Sequence, residues 1–235
     1  MDLKPYHVPA WRRWLARPLV RTVLKAIFMI LAPIKISGRE NIPFGKPYIL
    51  AMNHVSLFDP PFIISCWPEL VESLGAAEVW HKPGQGILAW LYGGIPVHRG
   101  EYDRKALDTV FSALRSGRPV LIAPEGGRSH NTNMCAAKPG VAFIVEESGF
   151  PVLPVGIVGT TDDFWHKAIH GQRPLLELRI GKPIQLPSVE GKGSQRKESR
   201  QRNADLIMSY IAGLLPENYR GVYAASAISP TQAGK

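Results

Sequence analysis

Beginning at Ile34, short runs rich in β-branched and aliphatic residues alternate with stretches in which apolar residues recur at helical spacing. The short runs predict strands at IKIS (34–37), YILAM (48–52), AEVW (77–80), IPVH (95–98), VLIAP (120–124), VLPVGIV (152–158) and LELRIG (176–181). Helices are expected at about 60–67, 85–92, 103–116, 139–148 and 196–214. In 103–116, Leu107, Val110, Phe111 and Leu114 share one face and Gly117 supplies the stop. Strands alternating with helices imply an α/β layered core, here a central mixed sheet of about seven strands with flanking helices. The polar stretch 187–200 reads as an exposed loop entering the last helix.

The N-terminal pattern is different. Arg13, Arg17, Arg21 and Lys25 recur every fourth residue, while Leu15, Leu19, Val23 and Ile27 recur on roughly the opposite side, with Trp11 and Trp14 at the start. A basic face, an apolar face and interfacial tryptophans describe an amphipathic helix lying in the headgroup region of a membrane. Pro18 is expected to kink it or to divide it into two shorter helices. The longest uncharged apolar run, Ala26–Ile34, is well short of the roughly 20 residues that span a bilayer. It also ends without the small-residue cleavage site of a signal peptide. Three regions follow: a membrane-associating segment at 1–33, a catalytic-sized α/β domain at 34–222 and a frayed, flexible tail at 223–235.

Composition narrows the partners. The chain has 235 residues, 45% hydrophobic and 20% charged, which suits one folded core. Its net charge of +9 favours anionic partners: nucleic acid, phosphorylated metabolites or an acidic membrane. Cys66 and Cys135 lie far apart, which suggests neither a disulfide framework nor a cysteine zinc site and fits a reducing compartment.

Three loops at predicted strand ends carry chemistry. In NHVSLFDP, His54 follows a strand and Asp59 comes five residues later, before the proline that opens a helix. If the turn folds back, the Asp59 carboxylate fixes the tautomer of His54 and leaves one ring nitrogen as a base. Arg99 follows the strand in IPVHRG, and in APEGGRS Glu125 and Arg128 flank Gly126 and Gly127. Arginine forks and glycine backbone N–H groups suit phosphate, and Lys138 in AKPG adds a further cation. The plain structural alternatives are that Asp59 only caps a helix and that Glu125 and Arg128 pair with each other.

In that order, NHVSLFDP, GGIPVHRG, APEGGRS and VLPVGIVGT resemble the four motifs of the glycerophospholipid acyltransferases, the family that includes 1-acylglycerol-3-phosphate acyltransferase. The resemblance spans about residues 35–185. It implies a general base at His54 with Asp59 as its partner. It further implies an acceptor glycerol phosphate bound by Arg99, Glu125 and Arg128, and an acyl-donor side shaped by Pro151–Pro154. The family's third motif usually has threonine where Gly127 stands here. The implied reaction moves an acyl group from acyl-coenzyme A or acyl carrier protein to lysophosphatidic acid, with no cofactor, metal or acyl-enzyme. Glycerol-3-phosphate or another lysophospholipid stands as the nearest alternative acceptor, followed by a glycolipid or an aminolipid. The enzyme would sit on the cytoplasmic face of an anionic membrane.

Other classes fit less well. Neither the G-x-S-x-G elbow of serine hydrolases nor an H-E-x-x-H zinc motif is present. A metal site would have to combine His54, Asp59, His81 and His98. Between Gly38 and Gly45-Lys46 the spacing is wrong for a phosphate loop, and Pro47 follows. A non-catalytic basic membrane-binding or nucleic-acid-binding module leaves His54 and Asp59 without a role, and the cations concentrate on one helix rather than among exposed aromatics.

Overall fold

The computed structural model describes residues 5–100 and 102–229. Its sheet comprises β1 (Ile34–Ser37), β2 (Ile49–Met52), β3 (Glu72–Ala76), β4 (Ile95–Val97), β5 (Val120–Ile122), β6 (Val152–Val158) and β7 (Leu176–Ile180). Their order is β1-β7-β6-β2-β5-β3-β4. β6 and β7 pair antiparallel and every other pair is parallel, so the sheet is mixed, with β1 and β7 opposed to the other five.

The helices are α1 (Arg17–Leu31), α2 (Asp59–Cys66), α3 (Gln85–Tyr92), α4 (Arg104–Arg115), α5 (Gly140–Ser148), α6 (Phe164–Ile169) and α7 (Ser194–Leu214). Strand alternation divides the apolar residues between two cores. Ile49, Ala51, Val120 and Ile122 join the cluster under α4, α5 and α7. Leu50, Met52, Leu121 and Leu153 join the cluster under α1 and α2. The central strands are therefore apolar on both faces, which is why they read as continuous hydrophobic runs.

Several expectations are corrected. AEVW is not a strand but a 3-10 turn (Ala77–His81), and the strand is the preceding ESLGA. Glu72 disguises it. This fully buried acid accepts two bonds from Arg17 at 2.7 and 2.6 Å, one from Arg118 at 3.0 Å and one from the Tyr6 hydroxyl at 2.6 Å. The short helix α6 was also unforeseen, and its inward residues are Phe164 and Ala168.

The N-terminal helix is oriented opposite to the simple amphipathic reading. Arg17 is buried, and Arg21 donates to the carbonyls of Ile64 and Trp67. These arginines share the inward face with Val20 and Phe28, while Leu15, Leu19, Val23 and Ile27 are exposed. Pro18 sits in the first turn of α1, and a π-helical turn (Arg12–Ala16) precedes it. Proline cannot donate an N–H and its ring crowds the carbonyl four residues back, so the change of register falls there.

The segment expected to fray after Tyr223 is held as far as Ser229. The Ile228 N–H bonds the Ser209 carbonyl at 2.9 Å. Gly213 lets the Ile228 backbone approach so closely that a Cβ there would overlap its oxygen. Residues 230–235 of that segment, and 1–4 of the N-terminal one, lie outside the described residues.

Candidate active site

Four of the five co-directional strands deliver their C-terminal ends to one place, the usual position for function in an open α/β sheet. His54 follows β2, Arg99 follows β4, the Glu125–Arg128 loop follows β5 and Thr160 follows β6. The turn after β2 folds back as its spacing suggests. His54 Nδ1 lies 2.8 Å from Asp59 Oδ2, which also accepts the N–H groups of Val55 and Ser56 at 2.7 and 2.8 Å. Asp59 Oδ1 accepts the Thr160 hydroxyl. The carboxylate is fully buried and its donors all lie outside α2, so it is not acting as a forward helix cap. With Nδ1 donating to Asp59, the lone pair of the neutral imidazole is at Nε2. Asn53 knits the turn to β6 by taking the Ile157 N–H at 2.7 Å and donating to the Ile157 carbonyl at 3.0 Å.

Glu125 does not pair with Arg128, nor does it line the cavity. Its two oxygens accept the backbone N–H groups of His54 at 2.8 Å and Cys135 at 2.7 Å, while Ser129 donates its N–H to the His54 carbonyl at 2.9 Å. The third loop thus grips the backbone of His54 on both sides. Burial pushes the Glu125 carboxyl up to about 7, against the opposing pull of those two N–H donors. Gly126 has φ +69°, a conformation that disfavours side chains, whereas a Cβ at Gly127 would meet only Arg99 at 3.9 Å.

His54, Arg99, Gly126, Arg128 and Lys138 all line one cavity of about 880 Å3. Seven Lys or Arg residues border it (Lys82, Arg99, Arg128, Lys138, Arg196, Lys197, Arg200), against the acids Glu78 and Asp103, so an anion is favoured inside. Among the described residues Arg128 has one ion pair, a long contact of 3.9 Å to Asp162. Towards α1 the wall turns apolar, with Val20, Leu24, Ile64 and Leu88. Pro151 and Pro154 are absent from the lining: their carbonyls accept N–H groups from Ile49 and Gly181 within the sheet.

A second histidine repeats the same spacing. His98 Nδ1 lies 2.9 Å from Asp103 Oδ2, but that imidazole is exposed and outside the cavity. Asp103 also caps α4 through Ala106, and the Ala106 and His98 N–H groups hold its carboxyl down at about 2. Among the described residues no group of three His, Cys, Asp or Glu is placed to hold a metal ion. Sequence reasoning missed Asn53, Thr160 and the backbone role of Glu125. The first two lie inside quoted motifs, and neither residue type by itself indicates a partner.

A family model described as Acyltransferase matches residues 33–158. The 1-acyl-sn-glycerol-3-phosphate acyltransferase of Borreliella burgdorferi is 29% identical over 150 residues, 62% of this chain and 60% of that protein. This chain therefore spans well under the full length of that relative. The lyso-ornithine lipid O-acyltransferase of Pseudomonas aeruginosa is 25% identical over 200 residues, covering 78% of this chain and 72% of that one. The crystal structure of the 1-acyl-sn-glycerophosphate (LPA) acyltransferase PlsC from Thermotoga maritima superposes with a TM-score of 0.59 at 24% identity. It covers 83% of this chain and 79% of that one, a likeness of fold.

Proposed function

The chain belongs to the acyltransferase family, and from that premise we propose that it transfers a fatty acyl group from an acyl thioester to the free hydroxyl of lysophosphatidic acid, giving phosphatidic acid. The observation that carries this reading is the buried Asp59 fixing His54 at the wall of a cation-lined cavity. His54 Nε2 takes the proton of the acceptor hydroxyl as its oxygen attacks the thioester carbonyl. The tetrahedral intermediate collapses, the carbon–sulfur bond breaks, and the imidazolium returns the proton to the leaving thiolate. Asp59 holds the tautomer and stabilises the imidazolium, while Thr160 and the Glu125 grip keep the pair in register.

Arg99, Arg128 and Lys138 would meet the acceptor's phosphate. The same cations disfavour an aminolipid headgroup, whose positive charge would be repelled.

The outer face of α1 supports docking on a membrane. Leu19 and Ile30 are 59% and 73% exposed, Trp14 of the preceding turn is 72% exposed, and the Trp11 and Trp90 rings meet at a tilt with centroids 5.4 Å apart. Among the described residues no helix is long and apolar enough to cross a bilayer. In this reading α1 lies along a membrane interface, with its exposed Lys25, and Arg13 of the preceding turn, near anionic headgroups. Its inner residues Val20 and Leu24 line the cavity, so an acyl chain passes from lipid to the site without crossing water.

The test compares acyl transfer to lysophosphatidic acid, glycerol-3-phosphate and monoacylglycerol in mixed micelles. Lysophosphatidic acid is expected to be preferred over monoacylglycerol by about a hundredfold in kcat/KM, the worth of two charge-assisted contacts. Equal rates with the uncharged acceptor would contradict a phosphate-reading site.

A further inference from the structure

The cavity continues beyond His54. Leu107 and Val110 of α4 and Phe143 and Ile144 of α5 line it, as do Arg196, Lys197 and Arg200 at the start of α7. The two arginines are oriented by one acid. Arg196 Nη2 donates to Glu146 Oε1 at 2.6 Å and Arg200 Nε to Glu146 Oε2 at 2.6 Å, with the Arg200 guanidinium 4.8 Å from the Phe143 ring centroid. Glu147 lies 3.9 Å from Arg196 as a weaker partner, and neither glutamate lines the cavity. Each arginine keeps N–H groups beyond those Glu146 accepts, and exposed Lys197 has no side-chain partner among the described residues.

One cavity thus holds two cation groups on different elements, Arg99, Arg128 and Lys138 by the catalytic loops and Arg196, Lys197 and Arg200 on α7, together with the apolar residues of α4 and α5. A single phosphate monoester at His54 explains the first group only. The second calls for another anion, joined to the reacting centre by a slender uncharged arm. A thioester carried on pantetheine and ending in nucleotide phosphates has that form.

We propose that Arg196, Lys197 and Arg200 seat the nucleotide phosphates of a coenzyme A thioester donor, with the pantetheine arm lying between α4 and α5. This rests on the acyl-transfer reading of the His54 end. It divides the cavity between its two substrates, with the lipid entering beside α1 and the water-soluble donor beside α7.

The experiment measures KM for one acyl group carried on coenzyme A, on dephospho-coenzyme A and on pantetheine alone, using the full chain and its Lys197→Glu variant. Isothermal titration with free coenzyme A accompanies it. The wild type should show KM rising by about tenfold or more from coenzyme A to pantetheine. Lys197→Glu should raise KM for the coenzyme A thioester, and Kd for coenzyme A, by about tenfold, with the effect confined to the nucleotide-bearing donors. Lys197 is exposed, so circular dichroism should be unchanged, and Lys197→Ala gives a smaller shift of the same sign. Equal wild-type KM values for coenzyme A and pantetheine thioesters, or a Lys197→Glu penalty shared by both, would overturn the seat while leaving the acyl-transfer reading intact. Transfer from acyl carrier protein alone, with no binding of coenzyme A, would also overturn it. Tight coenzyme A binding weakened by Lys197→Glu, but without transfer from any thioester, would instead support the seat and refute the reaction.

Discussion

Glu125→Gln separates a residue that touches the acceptor from one that positions the base. The wild-type carboxylate accepts two buried N–H bonds, one from His54 and one from Cys135. Glutamine retains one acceptor oxygen and turns an NH2 group towards the other N–H, leaving that donor unsatisfied at about 1–3 kcal/mol. His54 then loses half of its backbone grip, and a displacement of about 1 Å at a general base costs on the order of a hundredfold in kcat.

The variant should therefore lose kcat with little change in KM for lysophosphatidic acid. A second readout is the pH dependence of stability. Burial raises the folded Glu125 carboxyl from 4.5 to about 7, so between those values the folded protein holds a proton that the unfolded chain has released. Stability from this group is present below about pH 4.5 and is lost as pH rises through about 7, in total roughly 3 kcal/mol. Urea unfolding of the wild type and variant across pH 4–8 should give curves whose difference changes by that amount. In activity the sign is reversed, because the ionised clamp is the one that accepts both N–H groups. The acid limb of the wild-type profile should therefore carry the Glu125 ionisation near pH 7, and the variant should lack it. A Glu125→Gln enzyme with normal kcat and a raised acceptor KM would refute the clamp and return Glu125 to the substrate.

Two further outcomes follow from the N-terminal helix. Arg17→Ala removes both bidentate bonds to Glu72 and strands a buried acid with only Arg118 and Tyr6, so urea unfolding should report a loss of about 3–5 kcal/mol. A loss below about 1 kcal/mol would mean that the pair is not an anchor. Leu19→Glu places a charge on the exposed apolar face and should release the protein from anionic vesicles in a sedimentation assay while leaving its circular dichroism unchanged. Unaltered sedimentation would count against docking through α1.

The sequence conveyed the central strands and the loops after them because both announce themselves locally. Apolar runs such as YILAM and VLPVGIV are bounded by turn residues or helical stretches, and His54 and Asp59 are close enough along the chain for one turn to join them. What stayed hidden depends on partners far away in the chain. Glu72 makes β3 look polar until Arg17, 55 residues away, is seen to neutralise it. The Arg17–Arg21 stripe reads as solvated because periodicity shows which residues share a face but not which way that face turns. Buried acceptors turned it inward. Thr160 meets Asp59 across 101 residues, and Glu125 acts through backbone N–H groups that every residue type carries, so neither role leaves a mark in composition or spacing.

The central claim is that His54, oriented by Asp59, is the base for acyl transfer to a phosphate-bearing lipid. Its most direct test is transfer from a labelled acyl-coenzyme A to lysophosphatidic acid in mixed micelles by the wild type and by His54→Ala, with folding checked by circular dichroism. The account predicts transfer by the wild type and a loss of about 10²–10⁴-fold in kcat for the variant. Transfer at an undiminished rate by folded His54→Ala would contradict it.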